Sequence, residues 1–281
     1  MEFSAASLLK ASPGAALRGV VFTLWDARPA WLRPGLWRKP LPELDRTLQP
    51  VVCLGELHTR EEHAHIEVEA LRALRPLGYD TLAVELPPER EPAARRYAAS
   101  RRTEQDYRDF LHEGSAALYG DAFRRASAEG REKEIARQME EPGERNTRIL
   151  LNGAAELGYR LRFDDLSARN LAAIEEGGRL YRDLGRRNAA SAAVLAEEAR
   201  AGHGVVAVHG AAHLSEVVPG TSLKKELDRL GVPSRSFDLA LDGERPIERV
   251  YRRLGRAPSP VDHVVSDGAE VGRILAREGG R

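Results

Sequence analysis

Between Pro50 and Leu239 the chain alternates between two hydrophobic patterns. Four apolar residues in a row, Val51-Val52-Cys53-Leu54, read as a short strand covered on both faces. From Glu61 to Leu74 the apolar residues Ile66, Ala70, Leu71 and Leu74 fall at helical spacing, and Gly78 ends that segment before a second apolar run, Thr81-Leu82-Ala83-Val84. Strand, helix and strand make a βαβ unit, which predicts a parallel pair joined by a right-handed crossover. Residues 91–157 are rich in Arg, Glu and Ala without a strand-like run, and predict several helices broken near Gly120, Gly130 and Pro142-Gly143. Strands are predicted at Arg160 to Phe163, Gly204 to Val208 and Ser234 to Leu239, with a long helical region ending near Arg200 and a helix from Leu223 to Leu230. The expected fold is α/β: a mostly parallel central sheet flanked by helices, with a large helical insertion at about 91–157.

The flanks read differently. Residues 1–50 hold Trp25, Trp31 and Trp37 with Pro29, Pro34, Pro40 and Pro42, too many prolines for a long helix. A short strand at Val20 to Leu24 and a turn at Asp26-Ala27-Arg28 are expected there, in an irregular lead-in whose segment from Phe22 to Pro42 is a lid candidate. Three divisions follow: the lead-in at 1–50, the α/β domain at 51–240, and an extension at 241–281 that no pattern places.

Composition narrows the chemistry. The 281 residues carry 43 basic and 43 acidic side chains, so neither a polyanion nor a polycation is called for, and no nucleic-acid partner is expected. Cys53 is the single cysteine, which excludes intrachain disulfides and all-cysteine zinc sites. Its place inside a strand reads as that of a small buried hydrophobe rather than a nucleophile. No stretch approaches 18 consecutive apolar residues, and Met1 to Leu17 lacks the basic and hydrophobic regions of a secretory signal, so a cytoplasmic protein without membrane association is expected.

Polar residues recur where the strands end. Gly55-Glu56-Leu57-His58 follows the first strand, Glu85 the second, Asp164-Asp165 the third, and His209-Gly210-Ala211-Ala212-His213 the fourth. In an open parallel sheet the carboxyl ends of strands are where ligand-binding residues converge. Two or more histidines with carboxylates suit either a divalent metal, which would acidify a bound water, or metal-free acid/base chemistry. His63 and His65 on the following helix read as solvated face residues, as do the pairs Arg145-Asn146 and Arg187-Asn188 taken alone. His112, His203 and His263 carry no partner signal.

The runs VVCLGELHTREEHAHIEVEALRAL, LAVELP and RRNAASAAVLAEEARAGHGVVAVHGAAHL, with the lead-in VVFTLWDARPAW, resemble the superfamily of ChaN-like haem-binding proteins, erythromycin esterases and TraB/Tiki proteins. The shared pattern falls on Gly55, Glu56 and His58, on Glu85, on Arg187 and Asn188, and on Gly210 and His213, and the resemblance spans roughly residues 20–240. It implies three chemistries: haem or iron binding, ester hydrolysis by Glu and His, and metal-dependent peptide cleavage.

The expectation taken forward is a hydrolase acting on an ester or amide of a small molecule or peptide. Glu56, His58, Glu85 and His213 are its catalytic candidates, with His58, Glu85 and His213 as ligands should a divalent metal be bound, and Arg187 and Asn188 anchor the substrate. The alternatives are a haem- or iron-binding protein without catalysis, with His63, His65, Tyr107 and Tyr119 as axial candidates, and a biosynthetic enzyme that uses the same site for cyclisation or elimination.

Overall fold

Strands buried on both faces have no polar side to alternate with, and the apolar runs of this chain form such strands. In the computed structural model they are β1 (Val51–Glu56), β2 (Tyr79–Val84), β3 (Arg160–Phe163), β4 (Gly204–Gly210), β5 (Ser234–Leu239) and β6 (His263–Val265). The structure describes residues 50–176, 183–217, 220–241, 245–248, 251 and 261–279, all within one compact unit, Pro40–Arg281. The lead-in, its three tryptophans, its expected strand and the lid candidate lie outside the described residues.

The six strands form one parallel sheet in the order β3-β2-β4-β1-β5-β6. Sequence patterning predicts β1 and β2 as a direct pair, but β4 lies between them. The reason is burial: β1 and β4 carry the uninterrupted apolar runs and take the centre, whereas β3, with Arg160 and Arg162 alternating with buried Leu161 and Phe163, takes an edge. The crossover from β1 to β2 therefore passes a slot that the chain fills only later.

Helices cover both faces. They are α1 (Glu61–Leu74), α2 (Glu91–Ala99), α3 (Glu104–Arg125), α4 (Ala128–Glu140), α5 (Pro142–Glu156), α6 (Ala168–Glu176), α7 (Leu184–Arg200), α8 (Ala211–Leu214), α9 (Leu223–Arg229) and α10 (Gly268–Glu278). Among the described residues no helix is long and apolar enough to cross a membrane. The insertion between β2 and β3 is the predicted run of helices: Gly120, at φ 54°, kinks α3, and Pro142 opens α5. The break expected near Gly130 falls at Ala126-Ser127, and Gly130 itself is helical. It lies in the first turn of α4, where its N–H donates to the capping Ser127 hydroxyl at 3.1 Å. The tail supplies β6 and then α10, capped by Asp267 accepting from the Ala269 N–H at 2.8 Å.

The period of two along each strand sorts the core into two clusters. Val52, Leu54, Leu82, Val84, Val206 and Val208 face the side of α1, α2, α3 and α5. Val51, Cys53, Ala83, Val205 and Ala207 face Ala192, Leu195, Ala196 and Ala199 of α7, with Leu223 and Leu227 of α9. Small side chains on both partners let α7 lie close to the sheet, and the same alternation decides which polar strand end faces which helix.

Close approach also joins α10 to α1. A Cβ on Gly268 would fall 2.2 Å from the Ile66 carbonyl oxygen and 2.5 Å from the Ala70 nitrogen, both backbone atoms that cannot rotate away. Gly268→Ala is therefore expected to cost about 1–3 kcal/mol or more, as overpacking does, read as a lower urea midpoint with an unchanged slope. A variant as stable as the parent would show that α10 does not pack on α1 this closely.

Candidate functional site

Strand parity places Glu85 one residue beyond β2, on the α7 side of the sheet, and Glu56 at the end of β1, on the α1 side. The Glu85 side chain is 7% exposed, and both its oxygens are occupied. Oε1 takes His213 Nε2 at 2.9 Å and the Arg187 guanidinium, while Oε2 accepts the Gly210 N–H at 2.7 Å and lies 3.4 Å from His58 Nε2. Burial opposes the charge on this carboxyl, but the imidazoles of His213 and His58 outweigh it and hold Glu85 well below the usual carboxylate range.

His58 reaches across the end of β4 from the loop after β1. Its Nδ1 lies 2.6 Å from Glu56 Oε1, and its side chain is 51% exposed, so it is the member of the cluster that meets solvent. Its seat among protein groups disfavours the charged ring, yet the carboxylates of Glu56 and Glu85 raise its pKa well above the ordinary histidine value. The crossing needs a gap in the strand, and Gly210 supplies it: a Cβ there would stand 2.9 Å from His58 Nε2 and 3.4 Å from Glu85 Oε2.

Behind Glu85 lies a dry layer. Arg187 grips Asp165 with two bonds, Nε to Oδ1 at 3.0 Å and Nη2 to Oδ2 at 2.6 Å, and reaches Glu85 with the same Nη2. Asn188 is fully buried, with Oδ1 2.6 Å from His213 Nδ1. The two residues expected to anchor substrate are thus turned toward Glu85 and His213, the side chains they hold in place. Deeper still, His209 Nε2 lies 3.1 Å from Asp164 Oδ2, both residues wholly buried. Burial disfavours charge on each, pushing the Asp164 carboxyl up, while Asp164 in turn raises the basicity of the imidazole. All seven polar residues read from the strand ends therefore gather at one edge, in two layers: His58 with Glu56 in front, and the rest behind or around Glu85.

In front is a pocket of about 50 Å³, lined by Glu56, His58, Glu67, Glu85, Asn146 and Thr147 with apolar neighbours. That is room for a few water-sized groups. Two of its lining residues differ from expectation or were missed. Asn146, read as solvated, is buried on α5, and its Nδ2 donates to the His58 carbonyl at 2.8 Å, pinning the loop that carries the histidine. Glu67, unremarked in the sequence, is 2% exposed on α1. The signal for it was present: Glu67 falls on the buried stripe of α1 with His63, Ala70 and Leu74. His63 likewise corrects the solvated reading, since its ring is buried and Nδ1 accepts the Leu57 N–H at 2.8 Å. Burial lowers its pKa, and it serves the loop rather than the pocket. His65 is exposed as expected, 3.7 Å from Glu61. Burial pushes the Cys53 thiol up to about 12, which suits a core residue. The three bystander histidines stay outside the site; His203 pairs with Asp80 at 2.9 Å and His263 with Glu278 at 3.2 Å.

Among the described residues neither implied cofactor finds a ready site. Among the described residues no group of three His, Cys, Asp or Glu side chains is set to hold a metal ion, and the Glu85 lone pairs a metal would use already accept hydrogen bonds. For haem, the pocket is of the wrong scale, and two axial candidates are engaged elsewhere: His63 with Leu57, and the Tyr107 hydroxyl donating to the Glu144 carbonyl at 2.6 Å. The Tyr119 side chain lies outside the described residues.

No family model and no curated protein matches the chain. Two solved structures are similar to it. The type III effector HopBA1 is 16% identical, with a TM-score of 0.43, over 69% of this chain and 79% of that one. ChaN of Campylobacter jejuni, described with cofacial haem binding, is 11% identical, with a TM-score of 0.39, over 72% of this chain and 87% of that one.

The burial of Glu85 makes it a stability determinant with a definite pH signature. Glu85→Gln leaves Arg187 and the imidazoles facing a neutral amide, and is expected to cost about 3–5 kcal/mol at neutral pH. A carboxyl held low in the folded state contributes stability that is present above its unfolded value and is lost as pH falls through the folded one. The gap between wild type and variant should therefore narrow toward strongly acidic pH in denaturant titrations. A gap that is constant with pH would remove the charge from the explanation.

Proposed function

We propose that the site hydrolyses an ester or amide of a small molecule or peptide without a metal, with His58 as the group that carries the proton. The observation that supports this is the setting of the His58 ring: Nδ1 is fixed at 2.6 Å by Glu56, Nε2 lies at the longer distance of 3.4 Å from Glu85, and the side chain as a whole is half exposed. A positioned imidazole with one nitrogen anchored to a carboxylate has its tautomer set and its other nitrogen available to take a proton from water and return it to a leaving group. Glu56 supports the imidazolium formed in between. We assign Arg187, Asp165 and Asn188 the role of holding Glu85 and His213, so that the ring meets a fixed field rather than a mobile one.

The base form of His58 is the active one in this scheme, and the flanking carboxylates favour the acid form. The rate constant kcat/KM is therefore expected to rise with pH through an apparent pKa above the ordinary histidine value of about 6.5. His58→Ala should lower it by on the order of 10²–10⁴-fold on whichever member of an ester and peptide panel the wild type cleaves. Undiminished turnover in that variant, or loss of turnover on chelation with recovery on adding a metal, would sink the assignment. Haem added to the same preparation is expected to leave its Soret band unshifted; a shifted band lost in His58→Ala would favour the non-catalytic, haem-binding reading.

A further inference from the structure

We propose that Glu67 is a positioning residue of this site: its carboxyl donates a hydrogen bond to the free oxygen of Glu56 and so keeps the Glu56 carboxylate aimed at His58. The inference rests on the reading of His58 as the proton carrier. Glu56 and Glu67 come from different elements, β1 and α1, yet line the same pocket, 7% and 2% exposed. Glu56 spends Oε1 on His58 Nδ1, while its Oε2 is buried and finds no hydrogen-bond donor among the described residues, and Glu67 Oε1 is in the same condition. Two carboxyl groups meeting away from water do not both ionise, and a proton on one of them supplies the donor the other lacks.

The surroundings decide where that proton sits. Glu56 already has the His58 ring beside it, with Nδ1 2.6 Å from Oε1. Glu67 has no such contact: burial, and the neighbouring Glu56 charge and hydrogen bond, raise its pKa well above the usual carboxylate range, and the more distant His58 offsets this only in part. The residues that α5 brings to the pocket, Gly143, Asn146, Thr147 and Leu150, are uncharged, and α10 meets α1 through Gly268 and Gly272 at Ile66, Glu69, Ala70 and Ala73. Among the described residues that line the pocket, only His58 favours ionised Glu67, and burial with the neighbouring Glu56 outweighs it. The proton therefore belongs to Glu67, and the order of donors and acceptors runs from Glu67 through Glu56 to His58.

A neutral donor can be replaced by an amide but not by a hydrocarbon, which gives the test. The full chain is prepared as wild type, Glu67→Gln and Glu67→Leu, and the His58 imidazole is titrated by NMR without substrate. Glutamine is expected to leave the His58 titration in place, because its N–H donates to Glu56 as the acid did. Leucine should lower it by about one pH unit or more, since Glu56 without that donor is no longer held against the imidazolium. Equal titration curves in wild type and Glu67→Leu, or the same displacement in both variants, would overturn the proposal. Should Glu67→Leu fail to fold, infrared difference spectroscopy of wild type against Glu67→Gln decides: a protonated-carboxyl band present in wild type at neutral pH and absent from the variant is expected, and no such band overturns the proposal. Where turnover is measurable, Glu67→Gln should retain it and Glu67→Leu should lose about tenfold or more. The titration and the infrared band read out without any substrate, so they judge Glu67 even if the hydrolase reading fails.

Discussion

Taking a carboxylate out of water costs several kcal/mol unless its lone pairs find donors, and at the edge of this sheet that demand is met for Glu85 on every side. The donors come from four places in the chain: the loop after β1, the last residue of β4, α7, and the short α8. None of these segments neighbours β2 in sequence. Meeting the demand therefore fixes how the two helices on the α7 side seat against the sheet, and Arg187 extends the constraint to Asp165 after β3. The fold's polar centre is an electrostatic requirement of one side chain that the surrounding elements satisfy together.

The same requirement explains why the polar residues at the strand ends do not all point at a ligand. Strand alternation puts Glu56 and Glu85 on opposite faces of the sheet; His58 and the gap at Gly210 bring both to the pocket, whereas Asp164, Asp165, His209 and His213 do not line it. The α7 side is closed and filled with ion pairs, with Asn188 and His209 wholly buried. The α1 side stays open enough for a small pocket, and that is where His58 leaves its carboxylate neighbours to meet solvent. Rigidity behind and access in front are what a positioned acid/base group needs.

Much of this was legible in the sequence because strands buried on both faces write themselves as apolar runs and end in whatever chemistry the sheet edge carries. The spans of β3 and β5 and of α1 agree with their patterns, and Glu56, His58, Glu85 and His213 do converge. Pairing order was not legible, since a run such as Val205 to Val208 says that a strand is central without saying which strands it separates. Nor was β6, whose three residues are too few to set a period, with Val264 exposed. Glu67 and Asn146 were hidden for a different reason: each is a polar residue on a helix rich in charge, where only the position on the buried stripe distinguishes it from a solvated neighbour. His63 shares that position and was missed with them.

These missed residues change how the site is organised. Alone, the strand ends give a carboxylate, an imidazole and a buried network behind them, which is a site with a back and no front. Asn146 closes the front by holding the His58 carbonyl from α5, so the inserted helices fix the loop that carries the reactive ring. Glu67, on α1, and Asn188, on α7, then stand at the two ends of one line of polar contacts that crosses the sheet edge through Glu56, His58, Glu85 and His213. The line passes from one face to the other only over Gly210, where any side chain would collide with His58 Nε2 and press on Glu85 Oε2. A hydrogen atom in place of a Cβ is what allows acids on opposite faces of the sheet to act on one imidazole.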